Sequence, residues 1–181
     1  MVDPLSPPLP YQLRPLQLAD IDAVLAIEAQ SFPSAARASL YRHELSENPL
    51  AFYQALVLGD TNTLIGYAGF WMMADEAHIS IIAVDPAWRG KRLGELLLLN
   101  MLWLACGQQA LLATLEVRRS NKVAQKLYEK YQFEYVGERR RYYRDTGEDA
   151  LLMTVLFDSG SYCQRLDQYR IDLFSCLLGA R

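Results

Sequence analysis

The sequence predicts one mixed α/β domain in which helices flank both faces of a central β-sheet. The chain has 181 residues and is 51% hydrophobic, which is enough for a single domain with a sizeable core. Segments with strand-like alternation are interspersed with segments of helical periodicity. Their order, β, αα, βββ, α, β, α, ββ, is typical of a mixed sheet, and neither a repeat nor a linker divides it.

The chain begins with a lead-in, a strand and two helices. Residues 1–10 contain four prolines and predict a segment without regular structure. A short strand is predicted over 11–16. Asp20 precedes a helix whose apolar face has helical spacing, and Pro33 ends it. A second helix is predicted over 34–47, before an Asn-Pro pair.

The remaining strands are apolar runs between turn residues. They are predicted over residues 51–58, 63–72, 78–84, 110–117, 133–143 and 151–157. The first two form a hairpin, and the last two close around Asp145-Thr146-Gly147.

Two more helices are predicted within the domain, over 91–106 and 121–132. The domain therefore spans 11–157. The extension 158–181 carries Leu166, Tyr169, Leu173 and Leu177 at helical spacing, which predicts an appended amphipathic helix.

Charge is distributed unevenly. The formal net charge is −3, yet the stretch from Glu116 to Arg144 carries nine Lys and Arg residues against four acidic ones. Such a basic stretch suits an anionic ligand such as a nucleotide, a phosphate or RNA. A solvated strand and helix face is the alternative.

Several classes of protein are disfavoured. The three cysteines are widely spaced: Cys106, Cys163 and Cys176. They predict neither a disulfide framework nor a zinc site, and a reducing compartment is the simplest interpretation. His43 and His78 have no partner at metal-ligand spacing. No apolar run is long enough to span a membrane, and the N-terminus lacks a secretory pattern. We therefore expect a cytoplasmic protein with no metal and no membrane partner.

The first motif runs from the predicted strand 78–84 into the helix that follows. A tight basic loop with Gly90 and Gly94 joins the two. Such a loop presents backbone N–H groups and the positive end of a helix dipole to an anion. It matches neither a Walker A loop nor a Rossmann fingerprint, and by itself it is equally explained by a turn and a close helix contact.

The second motif places Glu116 at the end of a strand and Asn121 at the start of a helix. Tyr128 follows Asn121 by two helical turns, so both lie on one helix face. Taken singly, Tyr128 is explained by core packing and Glu116 by an ion pair.

Together the two motifs carry a family resemblance. The patterns V-D-P-x-W-R-G-x-x-L-G-x-x-L-L and L-E-V-R-x-S-N-x-x-A-x-x-L-Y-E-x-x-x-F resemble those of the GNAT acetyl-CoA-dependent N-acetyltransferases. Within that family the chain is most similar to the RimI-type ribosomal-protein-alanine N-acetyltransferases. The resemblance covers roughly residues 11–157. It implies the GNAT fold and acetyl-CoA as co-substrate.

The resemblance also implies roles for individual residues. Glu116 is expected to be the general base, and Tyr128 is expected to protonate the leaving thiolate. The Val84 N–H is expected to stabilise the oxyanion. The backbone of residues 82–84 is expected to pair with the pantetheine arm of the cofactor, for which a splay between the two central parallel strands makes room. The residues expected to bind the cofactor are Ile82, Ala83, Val84, Arg89, Gly90, Lys91, Arg92, Leu93, Gly94, Glu95 and Asn121. Cys106 is expected in the core, so no acyl-cysteine is invoked.

Two positions depart from the family pattern. Arg92 stands where a glycine is usual, and we expect its side chain to point to solvent and to be available to phosphate. Ser34-Ala35-Ala36-Arg37 replaces a tryptophan-containing stretch that shapes the acceptor side. This second departure leaves the acceptor less defined than the cofactor.

Three functions remain open. The first is acetylation of the N-terminal alanine of a ribosomal protein, with Glu148-Asp149 and Tyr142-Tyr143 near the acceptor. The second is acetylation of a small amine, a polyamine or a broader set of protein N-termini. The third is a non-enzymatic RNA- or ribosome-binding module. The arginines available for such a contact are Arg118, Arg119, Arg139, Arg140, Arg141 and Arg144.

Overall fold

A computed structural model describes residues 2–32, 37–158 and 161–179 of the chain. The start of the predicted second helix and most of the Ser34-Ala35-Ala36-Arg37 stretch lie outside these ranges.

The described elements follow the predicted order. The strands are β1 (Tyr11–Pro15), β2 (Ala51–Leu58), β3 (Leu64–Met73), β4 (Glu76–Val84), β5 (Leu112–Arg118), β6 (Glu134–Tyr143) and β7 (Glu148–Leu156). The helices are α1 (Ile21–Ser31), α2 (Ala38–Ser46), α3 (Leu93–Gly107), α4 (Lys122–Lys130) and α5 (Ser161–Gly179). Most bounds lie within three residues of the predicted ones. The mixed α/β prediction is confirmed, and so is the appended C-terminal helix.

The seven described strands form one sheet in the order β1-β2-β3-β4-β5-β7-β6. Of the described neighbouring pairs, β4 and β5 are parallel and the others antiparallel. The connection between two parallel strands has to cross over the sheet, and α3 forms that crossover.

Helices cover the sheet on both faces. On one face, α1 and α2 pack over a cluster that includes Val24, Tyr41 and Tyr67. On the other, α3 and α5 pack over a larger cluster that includes Leu97 and Leu166. Eleven residues of α3 are buried, because the helix lies between the sheet and α5. Helix α3 is therefore apolar on almost every side.

The N-terminal lead-in is ordered where it crosses α3. Leu5 is buried, and its backbone N–H donates to Asn100 Oδ1 at 2.9 Å. Val2 lies against Gly107, where a Cβ would approach a Val2 methyl carbon to 2.3 Å. Gly107 therefore allows the lead-in to approach the end of α3 closely.

The prediction that the cysteines form no disulfide is wrong for two of them. Cys106 on α3 and Cys163 on α5 are joined by a disulfide, whereas Cys176 is free and exposed. The pairing could not be read from the sequence because the two cysteines are 57 residues apart and meet only when α5 folds back onto α3. The bridge fixes the extension to the helix that follows the basic loop. Among the described residues, no helix combines the length and apolar content needed to cross a bilayer.

We expect the C106S/C163S double variant to be less stable than the wild type by about 2–4 kcal/mol under oxidising conditions, because the bridge restricts the unfolded chain. Urea unfolding with and without dithiothreitol measures the difference. Cys176→Ser is the matched control and should unfold like the wild type. A wild-type midpoint unaffected by reductant would show that the bridge contributes no stability.

Candidate active site

The site begins where β4 and β5 separate. Their pairing covers only Glu76–Ile79 against Leu112–Leu115, and beyond it the two strands are not hydrogen-bonded. The register of β4 against β3 shifts at the same place, which leaves Ser80 opposite no residue. Such a bulge bends a strand, so β4 turns away from β5. The Ser80 hydroxyl donates to the Gly69 carbonyl at 3.1 Å and fixes the bend.

A cleft of about 540 Å³ occupies this separation. Residues from both helical layers and from the β6–β7 hairpin line it. They include Glu28, Phe32, Ile82, Glu116, Arg118, Asn121, Tyr128, Tyr142, Tyr143 and Asp145. The structure thus brings Glu116, Asn121 and Tyr128 together, as the second motif predicts.

Glu116 lies at the base of the cleft, and its side chain is 6% exposed. His78 Nε2 is 3.1 Å from Oε2 and Arg139 Nη2 is 3.2 Å from Oε1, and both are ion-pair contacts outside hydrogen-bond geometry. Burial raises the pKa of the carboxyl, but the contact with His78 and the charges of His78 and Arg139 outweigh burial. The net pKa lies below its usual range, so Glu116 is ionised at neutral pH.

Tyr128 lies on α4 and packs against Phe133, with ring centroids 5.8 Å apart. Burial, together with the neighbouring Tyr143, raises the pKa of its phenol. Burial likewise raises the pKa of Tyr143 to about 12. Both phenols therefore keep their protons across the physiological range and can donate them.

Asn121 caps α4, because its Oδ1 accepts the Ala124 N–H at 3.1 Å. Helix α4 therefore begins after Asn121, because asparagine is a favoured residue at the N-cap. Its side chain still lines the cleft next to Tyr128.

The backbone of β4 provides further polar groups. The Asp85 N–H donates to the Ile65 carbonyl of β3 at 2.9 Å. Since backbone groups alternate sides along a strand, those of Ala83 also face β3, and the N–H groups of Ile82 and Val84 face the open side. The Val84 carbonyl accepts a hydrogen bond from Arg89 Nε at 3.1 Å.

The basic loop leads from β4 into α3. Gly90 has φ +78°, and a Cβ there would meet no atom within 4 Å. Lys91 lies over the Trp88 ring at 4.6 Å. No side chain caps α3, so the N–H groups of its first turn, at Leu93, Gly94 and Glu95, have no intrahelical acceptor. These donors and the helix dipole suit an anion.

One expectation needs correction. Arg92 does not point freely to solvent, because its guanidinium donates to both carboxylate oxygens of Glu95 at 2.9 Å. The Glu95 side chain is buried and also accepts from Lys130 Nζ and the Tyr131 hydroxyl. Arg92 adopts φ +60°, a conformation that favours glycine, and the forked pair holds it there. The family glycine is thus replaced by an arginine fixed to α4 through Glu95.

The expected RNA-binding arginines are largely neutralised. Arg118 pairs with Asp145 and Glu148, and Arg119 pairs with Glu138. Arg139 lies beside Glu116, and Arg140 lies 3.8 Å from Glu138. Among the described residues, no carboxylate forms a salt bridge with the Arg141 side chain. These pairs account for the basic stretch as a structural network and give no support to an RNA contact.

Sequence reasoning missed two residues of the site. Glu28 is 2% exposed and accepts hydrogen bonds from the hydroxyls of Tyr41 and Tyr67 at 2.5 and 2.8 Å. His78 contacts Glu116 from the neighbouring strand. Its position two residues before the bulge gave no signal, because the alignment of β4 with β5 is a tertiary feature. Within the described ranges, no group of three or more His, Cys, Asp or Glu residues is arranged to hold a metal ion.

Comparison with known proteins identifies the family. The model of the acetyltransferase (GNAT) family matches residues 21–133. The chain belongs to this family of acetyltransferases. A Bacillus subtilis (strain 168) protein, provisionally named a [ribosomal protein bS18]-alanine N-acetyltransferase, is 45% identical over 79% of this chain and 93% of its own length.

Two further relatives agree with this assignment. A Mycobacterium tuberculosis protein named N-alpha-acetyltransferase RimI is 37% identical over 83% of this chain and 94% of its own. Among solved structures, the ribosomal-protein-S18-alanine N-acetyltransferase from Escherichia coli superposes with a TM-score of 0.73 at 27% identity. That match covers 81% of this chain and 93% of the other. The chain is thus a RimI-type GNAT enzyme, and the non-enzymatic alternative is set aside.

We expect Glu95→Gln to lower the free energy of unfolding at pH 7 by about 1–3 kcal/mol, because the buried carboxylate holds Arg92 and Lys130. Burial raises the pKa of Glu95 in the folded state, but the hydrogen bonds from Arg92 and Lys130 and their charges together outweigh burial and leave the pKa lowered. Its contribution is therefore present above the unfolded pKa and is lost as pH falls through the folded value.

Denaturant unfolding at pH 7 and pH 3 tests this expectation, with the exposed Glu134→Gln as control. The difference in the free energy of unfolding between the wild type and E95Q should be smaller at pH 3 than at pH 7. A constant difference at both pH values would contradict an ionised Glu95.

Proposed function

We propose that this chain transfers the acetyl group of acetyl-CoA to the N-terminal α-amine of a protein, with alanine as the terminal residue and a ribosomal protein as the acceptor. The observation that carries the proposal is the placement of Glu116 and Tyr128 in one cleft beside the unpaired backbone of β4. The names of the B. subtilis and E. coli relatives favour this acceptor class over others.

The residues present fit acetyl-CoA. When bound, this co-substrate supplies an activated thioester and a diphosphate. The N–H groups of Ile82 and Val84 would hold its pantetheine arm as an added strand, because β5 leaves that edge of β4 unpaired. The loop from Arg89 to Glu95 would hold the diphosphate through its backbone. Gly90 leaves open space there, and α3 presents its uncapped first turn.

Glu116 acts as the base. An α-amine titrates near 7.7–8.0 and is mostly protonated at pH 7. The ionised carboxylate of Glu116 attracts this ammonium and accepts its proton, directly or through one water. Because the pKa of Glu116 is lowered, its carboxylate is a weak base. A weak base is better suited to an α-amine than to a lysine, because the α-amine has the lower pKa and gives up its proton more easily.

Tyr128 and Val84 act on the thioester, whereas Glu116 acts on the amine. The phenol of Tyr128, whose pKa is raised, keeps a proton to donate to the departing thiolate sulfur. The Val84 N–H, turned away from β3, is placed to stabilise the oxyanion. The acceptor enters past Phe32 and the Tyr142-Tyr143 pair, which line the cleft around Glu116.

We expect Glu116→Gln to reduce kcat at pH 7 by about 10- to 100-fold, because only about a tenth of an α-amine is neutral there without a base. At pH 9.5 the deficit should shrink, since the amine loses its proton to solvent. A kcat–pH series with an alanine-terminated peptide measures this, and Glu129→Gln on the exposed side of α4 is the control. Full activity of E116Q at every pH would refute the base assignment.

Tyr128→Phe should lower kcat by about 10- to 100-fold while leaving the Kd of acetyl-CoA within about twofold, because the ring packing remains and only the proton donor is lost. Stopped-flow kinetics and calorimetry separate the two quantities. The exposed Tyr135→Phe is the matched control. Loss of acetyl-CoA binding by Y128F would instead assign Tyr128 to structure.

The acceptor class is tested with a panel of amines under identical conditions. Peptides with free N-terminal alanine should give kcat/KM values at least about 100-fold above those of spermidine or an aminoglycoside, because a hydrogen-bonding site rejects ligands that leave its groups unpaired. Peptides acetylated at the N-terminus are the control. A preference for spermidine would assign the enzyme to small amines instead.

A further inference from the structure

We propose that His78 is a positioning residue of this site, holding Glu116 in the orientation that accepts the amine proton. The inference rests on the proposed function of Glu116 and goes beyond it, because it assigns a role to a residue outside both sequence motifs. Its basis is the contact between two adjoining strands at the point where their pairing ends.

The His78–Glu116 contact is close and shielded. Nε2 of His78 lies 3.1 Å from Oε2 of Glu116, and the two side chains are 13% and 6% exposed. His78 is paired with Thr114 within the last stretch of β4–β5 register. Glu116 follows two residues later on the same face of β5, so the sheet itself brings the two side chains together.

The imidazole ring is held from its other side. It stacks on Trp71 of β3 with ring centroids 5.8 Å apart and an interplanar angle of 13°. Trp71 is fixed in turn, because its indole N–H donates to Glu44 Oε2 of α2 at 2.7 Å. The ring can therefore direct Nε2 at Glu116 without paying much rotamer entropy.

The two oxygens of Glu116 then have different surroundings. Oε2 lies 3.1 Å from Nε2 of His78, and this shielded ion-pair contact fixes that side of the carboxylate. Oε1 is buried and makes no hydrogen bond within the described part of the chain, although Arg139 lies 3.2 Å away. One oxygen is thus held, and the other is left to meet the acceptor amine.

The other charged and titratable groups around the pair come from two elements, β6 and α2. Arg139, Tyr142 and Tyr143 face Glu116 from β6, and Glu44 of α2 reaches the imidazole through Trp71. Burial raises the pKa values of both tyrosines, and an arginine keeps its charge.

The first test is spectroscopic and needs no activity. The chain has two histidines, His43 and His78, so the ring signals of ¹³C-labelled protein can be compared by NMR at one pH. In E116Q the ring signals of His78 should change position, since its carboxylate partner is gone. His43, exposed on α2 beside Glu47, is the internal control and should not move. Unmoved His78 signals would overturn the coupling.

The second test compares two substitutions kinetically. His78→Gln places an amide N–H near the position of Nε2 but does not titrate, whereas His78→Ala removes the donor. With the alanine-terminated peptide, H78A should lose about tenfold or more in kcat at pH 7.5 with KM for acetyl-CoA unchanged. H78Q should stay within about threefold of the wild type.

Rescue by the conservative variant separates a positioning role from a structural one. H78A should lose kcat and H78Q should recover it, while both keep the wild-type KM for acetyl-CoA. His43→Gln is the matched control and should keep wild-type kinetics. Wild-type kinetics in H78A, or an equal loss of kcat in H78Q and H78A, would overturn the proposal. Absence of acetyl transfer by the wild type would instead remove the proposed function, whereas the NMR coupling is decided independently.

Discussion

The incomplete pairing of β4 and β5 is the constraint on which the rest of this structure depends. A parallel pair buried between two helical layers would ordinarily satisfy its backbone groups along its whole length. Here the bulge at Ser80 ends the ladder after Ile79, and backbone donors of β4 are left facing a cleft. Buried donors without partners are costly, so the fold tolerates them only where a ligand or water can satisfy them. The cleft, its lining side chains and its unpaired edge thus share one cause.

The loop at the start of α3 illustrates how a departure from a family pattern can be accommodated. A side chain in the left-handed conformation costs about 1 kcal/mol relative to glycine. Arg92 offsets this cost through a forked pair with Glu95, which is fixed to α4 by Lys130 and Tyr131. The loop that would hold a diphosphate is therefore connected to the helix that carries Tyr128. One network of hydrogen bonds thus positions this loop and that helix together.

The basic stretch also has one interpretation in the sequence and another in the structure. In sequence, the arginines between Glu116 and Arg144 suggested an anionic partner. In the structure Arg118, Arg119 and Arg140 pair with carboxylates of the β6–β7 hairpin. Arg139 lies beside Glu116 and lowers its pKa together with His78. These arginines thus serve the hairpin and the electrostatics of the cleft, and counting charges along a chain cannot distinguish this from an exposed binding surface.

The sequence by itself determined the order of strands and helices, the family and the meeting of Glu116, Asn121 and Tyr128. These features depend on local periodicity, on capping preferences and on motifs whose spacing fixes the geometry. The tertiary structure alone decided the bulge at Ser80, the Cys106–Cys163 bridge, the pairing of Arg92 with Glu95 and the contact of His78 with Glu116. Three of these depend on register between strands or on packing between helices distant in the chain. The Arg92–Glu95 pair is local, but its strength comes from Lys130 and Tyr131, which only the packing of α4 against α3 brings within reach.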